Sequence, residues 1–295
     1  MNQVPSNSEL RTPNSEPNRR ETPCCGTSDF RLPTSDCIGA NVYEGLPFPD
    51  DVFIFDIHAH VHQTSDFQMT HASPAEVAAT MRKLGIDGGC VSSILSIHAD
   101  CRLGNELVRQ AVREQADKLF GYLTVSPHDH DVDLDSFFAD PKFRGMKVHA
   151  AFHRSAINDP RYDFFYEYAD AHALPILFHA WEAIDSVHIA QVAARFPHTK
   201  LIIGHGAMRT WEIKQEVIKA VRRYDNVFAD TTVSVAYDGA VEWIVNEIGA
   251  DRLCYGSDIP FYDCRHVVGK VATAKLTDEE KRKILGENAR AILNL

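Results

Sequence analysis

The chain has 295 residues, 44% of them hydrophobic and 24% charged, enough apolar material for one large domain and too much for a disordered or fibrous chain. A formal net charge of -11 would repel a nucleic-acid backbone or an anionic membrane surface, so neither is expected as a partner. Seven cysteines, odd in number and scattered, do not make the paired framework of a small secreted domain. With no apolar run of about 18 residues and no apolar leader at the N-terminus, reduced thiols and a cytoplasmic protein are expected.

Residues 1–46 are rich in Asn, Ser, Pro and Thr and show little apolar periodicity, which predicts a flexible extension that cannot bury enough surface to offset its ordering entropy. Cys24, Cys25 and Cys37 lie there without a CxxC pair, so a solvated tail is expected rather than a metal site. Residues 47–295 read as a single catalytic domain. Eight short apolar runs follow in order, at 52–57, 89–95, 119–125, 145–149, 175–179, 200–205, 226–230 and 252–258. They are nearly continuous rather than alternating, as parallel strands covered on both faces require.

Helical segments separate the runs. Ser73-Pro74-Ala75-Glu76 carries an N-cap and a first-turn proline, Asp159-Pro160 opens another helix, and helices are expected over 105–117, 185–196, 211–223 and 239–248. Eight strands alternating with helices in about 245 residues predict a (β/α)8 TIM barrel. A doubly wound sheet is the alternative, but no GxGxxG or GxxxxGK[ST] follows any run.

Candidate chemistry gathers at the ends of these runs. His58 and His60 are two apart at the end of the first, so strand periodicity puts them on one face. His179, His205 and Asp258 end the fifth, sixth and eighth, at the carboxyl edge where barrel enzymes hold their active sites. A buried histidine more often satisfies a core hydrogen bond than binds a metal. Four histidines and an aspartate converging on one edge instead point to a metal centre.

These residues bring out a resemblance. HAH at 58–60, GMKVH at 145–149, DPRYDFFYEYADAHALPILFHA at 159–180, GHG at 204–206, YGSDIP at 255–260 and LGENARAIL at 285–293 together resemble the amidohydrolase superfamily, in the amidohydrolase-related branch similar to aminocarboxymuconate semialdehyde decarboxylase. The resemblance covers residues 51–295. It implies one divalent metal, zinc first with manganese or iron also suited, held by His58, His60, His179 and Asp258, with His205 beside it as an acid/base partner. Lys147 matches the strand-four lysine that bridges two metals in binuclear relatives; here a structural or substrate-contacting ammonium is expected, with His149 on the same face. The chain departs from the family pattern at Ala180-Trp181 and at Ala207, and Trp181 is either a pocket wall or a buried rim residue. His62, His98, His128, His130 and His153 are expected to make a polar mouth.

The expected function is hydrolysis of an amide, lactone or related carboxylic derivative. A metal-activated water would attack, Asp258 would take its proton, and His205 would stabilise the oxyanion or assist the leaving group. The rival is a lyase that decarboxylates an aromatic or unsaturated acid with the same ligands; Asp56-Ile57, where decarboxylases of this branch often carry a glutamate motif, tips the expectation toward hydrolysis. A catalytically dead barrel acting as a binding partner is a third reading, against which the full ligand set weighs. The expected partner is a small-molecule substrate, and a homodimer is admitted.

Overall fold

Eight parallel strands pair in chain order, each with its sequence neighbour: β1 (Phe55–Val61), β2 (Gly88–Ser93), β3 (Leu119–Val125), β4 (Phe143–Val148), β5 (Ile176–His179), β6 (Leu201–Gly204), β7 (Val227–Asp230) and β8 (Leu253–Cys254). The computed structural model describes residues 37–205, 210–232 and 238–295. Beyond β8 the chain closes the ring on β1: Ile57 N donates to Tyr255 O at 2.9 Å, Asp258 N to His58 O at 2.8 Å and His60 N to Ile259 O at 2.7 Å. Sequential order with closure is a (β/α)8 barrel and excludes the doubly wound alternative.

The helices are α1 (Cys37–Tyr43), α2 (Pro74–Lys83), α3 (Ile94–His98), α4 (Cys101–Glu114), α5 (Leu134–Phe138), α6 (Asp163–Ala171), α7 (Ala183–Arg195), α8 (Trp211–Arg223), α9 (Ala240–Ile248), α10 (Cys264–Ala272), α11 (Asp278–Arg282) and α12 (Asn288–Leu293). Local chemistry sets their starts. Ser73 caps α2 in a full capping box with Glu76, and Asp159 opens a 3-10 turn at Pro160–Tyr162 that leads into α6. Among the described residues no helix is long and apolar enough to cross a membrane.

The expected extension ends earlier than residue 46. Residues 37–43 form α1, whose Ile38 is fully buried and whose first amide, Cys37 N, donates to Asp278 Oδ2 at 3.0 Å. Ile38 and Val42, four apart, give that turn one apolar face. Cys24 and Cys25, and the expected flexibility of 1–36, lie outside the described residues. The eighth strand is also shorter than its apolar run: its pairing with β7 ends at Cys254, and Asp258, still bonded to β1, takes a left-handed φ of 60°.

Alternation along each strand sorts the interior. Ile176 and Phe178 point outward to the helices while Leu177 and His179 point in; Met146 and Val148 point out while Lys147 and His149 point in. Low in the barrel the inward residues are apolar, with Phe55, Ile57, Cys90, Tyr122, Leu177, Ile202 and Cys254 packed over α12. One residue pair higher they become polar.

Candidate metal centre

Strand β1 delivers its two histidines through an irregularity. It pairs Asp56 with Gly89 but Ala59 with Val91, so one extra residue lies in β1 between those points. Without it the parity that buries Phe55 and Ile57 inside would carry on to Ala59 and turn His58 outward. The bulge resets the alternation, so Ala59 and Val61 join the outer layer and His58 and His60 enter the mouth.

Two glycines make room for His58. A Cβ on Gly204 would lie 2.9 Å from His58 Cε1, and one on Gly256 would lie 2.9 Å from His58 Cβ. Its Nδ1 lies 2.7 Å from Asp230 Oδ2 and its Nε2 lies 2.8 Å from Lys147 Nζ. His60 is held by Ser92 Oγ at 3.0 Å from Nδ1, leaving Nε2 3.0 Å from Asp258 Oδ1. The other carboxylate oxygen of Asp258 lies 3.9 Å from Nδ1 of His205, a buried atom with no hydrogen-bond partner among the described residues. His205, like Asp258, sits at a φ of 60°.

The remaining rings stack around this group. His149 lies parallel to His179 with centroids 3.8 Å apart, and Trp181 is also near-parallel to His179, at 5.8 Å, while meeting His205 edge-on at 5.4 Å. His179 and His205 are 4.6 Å apart, and Phe261 meets the edge of His60 at 5.6 Å. Phe67 joins Phe261 to Phe152, which packs on His149.

Burial keeps the imidazoles neutral. It pushes His58, His149 and His205 well below the usual histidine value, lowers His60, and brings His179 down to about 3; the Lys147 charge lowers His58 and His179 further. Lys147, fully buried, is pushed by desolvation down to about 8, and Asp230 by the same cause up to about 7, with the attraction between the two opposing both shifts. Neutral, buried imidazoles beside a carboxylate are donors with free lone pairs, and the unpartnered His205 Nδ1 faces that carboxylate. This donor set fits a divalent ion.

Of the residues expected from sequence, the tightest donor group is His58, His205 and Asp258, whose ligand atoms all lie within 4.8 Å of one another. His60 adjoins it through Asp258, and His179 through its ring contact with His205. Lys147 and Trp181 border it, and His149 touches it through His179. The other loop histidines are occupied elsewhere: His62 with Ser93, His98 with Asp66, His128 with His153 O, His130 with Arg161 O and His153 with Tyr162.

Sequence reasoning missed Asp230 and Ser92. Asp230 ends the seventh apolar run as His179 and His205 end theirs, which was the available signal; Ser92 has none beyond its place on β2. Asp56, part of the first-strand motif, is a structural residue. Fully buried, it accepts from Ser257 Oγ and from the backbone amides of Ser257 and His58, at 3.0 and 3.1 Å.

A closed barrel with a buried imidazole and carboxylate cluster at the carboxyl ends of its strands defines a barrel enzyme with a metal-competent centre. The chain belongs to the amidohydrolase family, whose profile matches residues 47–295. No match is found among curated protein sequences. Solved structures share the barrel. The 5-carboxyvanillate decarboxylase of Sphingomonas paucimobilis is similar with a TM-score of 0.67 at 15% identity, over 83% of this chain and 100% of that one. A dihydroxybenzoic acid decarboxylase from Polaromonas sp. JS666, with bound manganese and 2-nitroresorcinol, gives 0.66 at 15% identity over 83% and 97%. A probable 2-pyrone-4,6-dicarboxylic acid hydrolase from Acinetobacter baumannii gives 0.66 at 14% over 82% and 99%.

Proposed function

We propose that this chain is a divalent-metal-dependent hydrolase of an amide, lactone or related carboxylic derivative, with His58, His60, His179 and Asp258 as ligands and His205 as the acid/base partner. The observation that carries it is the placement of Asp258, one carboxylate oxygen 3.0 Å from His60 Nε2 and the other 3.9 Å from the unpartnered Nδ1 of His205. When bound, the ion supplies Lewis acidity, which polarises a carbonyl and makes a coordinated water easier to deprotonate. Asp258 accepts the proton of the attacking water. His205, neutral at pH 7 because it is buried, stabilises the oxyanion and assists the leaving group. Trp181, Phe261 and Phe152 flank the histidines with ring faces and edges, which suits a substrate with a flat unsaturated part. Lys147 lines the same interior as a substrate contact.

Those rings also favour a second reading, decarboxylation of an aromatic or unsaturated acid. Two proteins with this barrel are decarboxylases of 5-carboxyvanillate and of dihydroxybenzoic acid. Asp56 does not weigh against it, because its carboxylate serves Ser257 and the backbone amide of His58 rather than a substrate.

The full chain, reconstituted with zinc or manganese, is to be assayed against lactones, amides and aromatic acids, with released acid and carbon dioxide measured separately. Acid without carbon dioxide is the expected result. Carbon dioxide overturns hydrolysis in favour of the second reading, and no turnover at full occupancy returns the barrel to a binding role. Elemental analysis should find one ion per chain; two, with a carboxylated Lys147, would overturn the single-metal centre.

A further inference from the structure

We propose that Asp230 is a positioning residue that joins His58 on β1 to His205 after β6, and that only a carboxylate at this position can serve both. The inference rests on the reading of His58 as a ligand. Asp230 is fully buried at the end of β7. Its Oδ2 lies 2.7 Å from His58 Nδ1, while its Oδ1 accepts from the backbone N–H of His205 at 3.1 Å and of Thr232 at 3.0 Å.

The first contact fixes a tautomer. A neutral imidazole carries one N–H, and a carboxylate at 2.7 Å from Nδ1 holds that hydrogen there, leaving the Nε2 lone pair aimed at the centre. The other side of the ring agrees. Lys147 Nζ lies 2.8 Å from Nε2, and an ammonium can only donate, so Nε2 is the acceptor. The same lone pair serves either Lys147 or a bound ion.

The second contact fixes a backbone. His205 occupies the left-handed region at a φ of 60°, which strains a non-glycine residue. Oδ1 of Asp230 takes its amide and so holds the turn that directs the imidazole toward Asp258. Three donors therefore converge on one side chain.

An isosteric amide cannot reproduce this. Turned with its oxygen to His58, an asparagine presents its NH2 to the two backbone N–H groups. Turned the other way, it presents NH2 to Nδ1, which must then give up its hydrogen. The proton moves to Nε2, where the Lys147 ammonium cannot accept it, so the lone pair facing the centre and the lysine contact are lost together.

The test uses the metal-free full chain with 15N-labelled histidine, His58 being assigned by its loss in His58→Gln. Long-range proton–nitrogen correlation should show His58 with its hydrogen on Nδ1. Asp230→Asn should move that hydrogen to Nε2 and weaken zinc binding by about 10–100-fold in competition with a chromogenic chelator. In Asp230→Ala, added formate should restore both the tautomer and the affinity, because it returns two acceptor oxygens; a merely structural defect would not respond. A wild-type His58 carrying its hydrogen on Nε2 overturns the proposal without need of any variant. So does an Asp230→Asn variant with unchanged tautomer and unchanged zinc affinity. If the tautomer moves as expected but the wild-type chain takes up no metal, the positioning role stands and the metal reading of the centre falls.

Discussion

Along β5 the inward positions are Leu177 and, two residues on, His179; along β6 they are Ile202 and Gly204, and at β8 they are Cys254 and, just past the strand, Gly256. The first of each pair belongs to the lower half of the barrel interior, an apolar packing sealed by α12. The second belongs to the upper half, where histidines, carboxylates and the buried Lys147 replace hydrocarbon. The step between them is only about 7 Å along a strand. Both halves are largely shielded from water, with His179 half-buried at the upper rim, so they differ more in chemistry than in exposure. Close packing below stabilises the ring, while the upper half contains polar groups that are costly to bury unless they find one another. Their separation predicts that stability and activity can be damaged independently.

The largest effect is expected from Asp258→Ala. It removes a charged donor and the proton acceptor together, so turnover should fall below detection and metal occupancy should drop even with excess ion. His205→Asn should keep most bound metal yet lose about two to four orders of magnitude in kcat, or about 3–5 kcal/mol of transition-state stabilisation. Metal content and rate need to be measured on the same samples. If His205→Asn empties the site while Asp258→Ala stays metallated and active, the two roles are reversed.

Next is Leu177→Ala in the lower half, expected to lower unfolding free energy by about 2–5 kcal/mol in chemical denaturation. Its rate per folded molecule should stay within about twofold of the parent, since the change leaves the upper ring in place. A tenfold loss in kcat would show that the two halves are mechanically coupled. The smallest effect is reserved for a residue in neither half. Ser73→Ala breaks the capping box of α2 and should cost about 1 kcal/mol of stability with no change in rate.

The sequence made the lower half easy to read. Its residues sit inside apolar runs that parallel strands require, and each of the eight runs overlaps a strand. His179, His205 and Asp258 were legible as run ends. The β1 bulge was not, because the one-residue shift in register leaves no compositional mark; the expectation that His58 and His60 share a face holds through it. Asp230 was passed over because its partners, His58 and the amide of His205, are 172 and 25 residues away. The end of β8 misled because its partner β7 stops at Asp230, and nothing in YGSD announces that pairing ends or that Asp258 adopts a positive φ. The short α1 was masked by its polar surroundings, with only Ile38 and Val42 spaced to reveal it.

The left-handed backbone at His205 and Asp258 has a consequence for anyone who evolves or screens this protein. Glycine adopts that conformation without penalty, so replacing either residue by glycine should relieve strain and lift a buried polar group from the interior at the same time. Variants ranked by melting temperature alone would therefore be enriched in changes at these two positions, and the most heat-resistant members of such a library should be the ones that no longer turn over substrate.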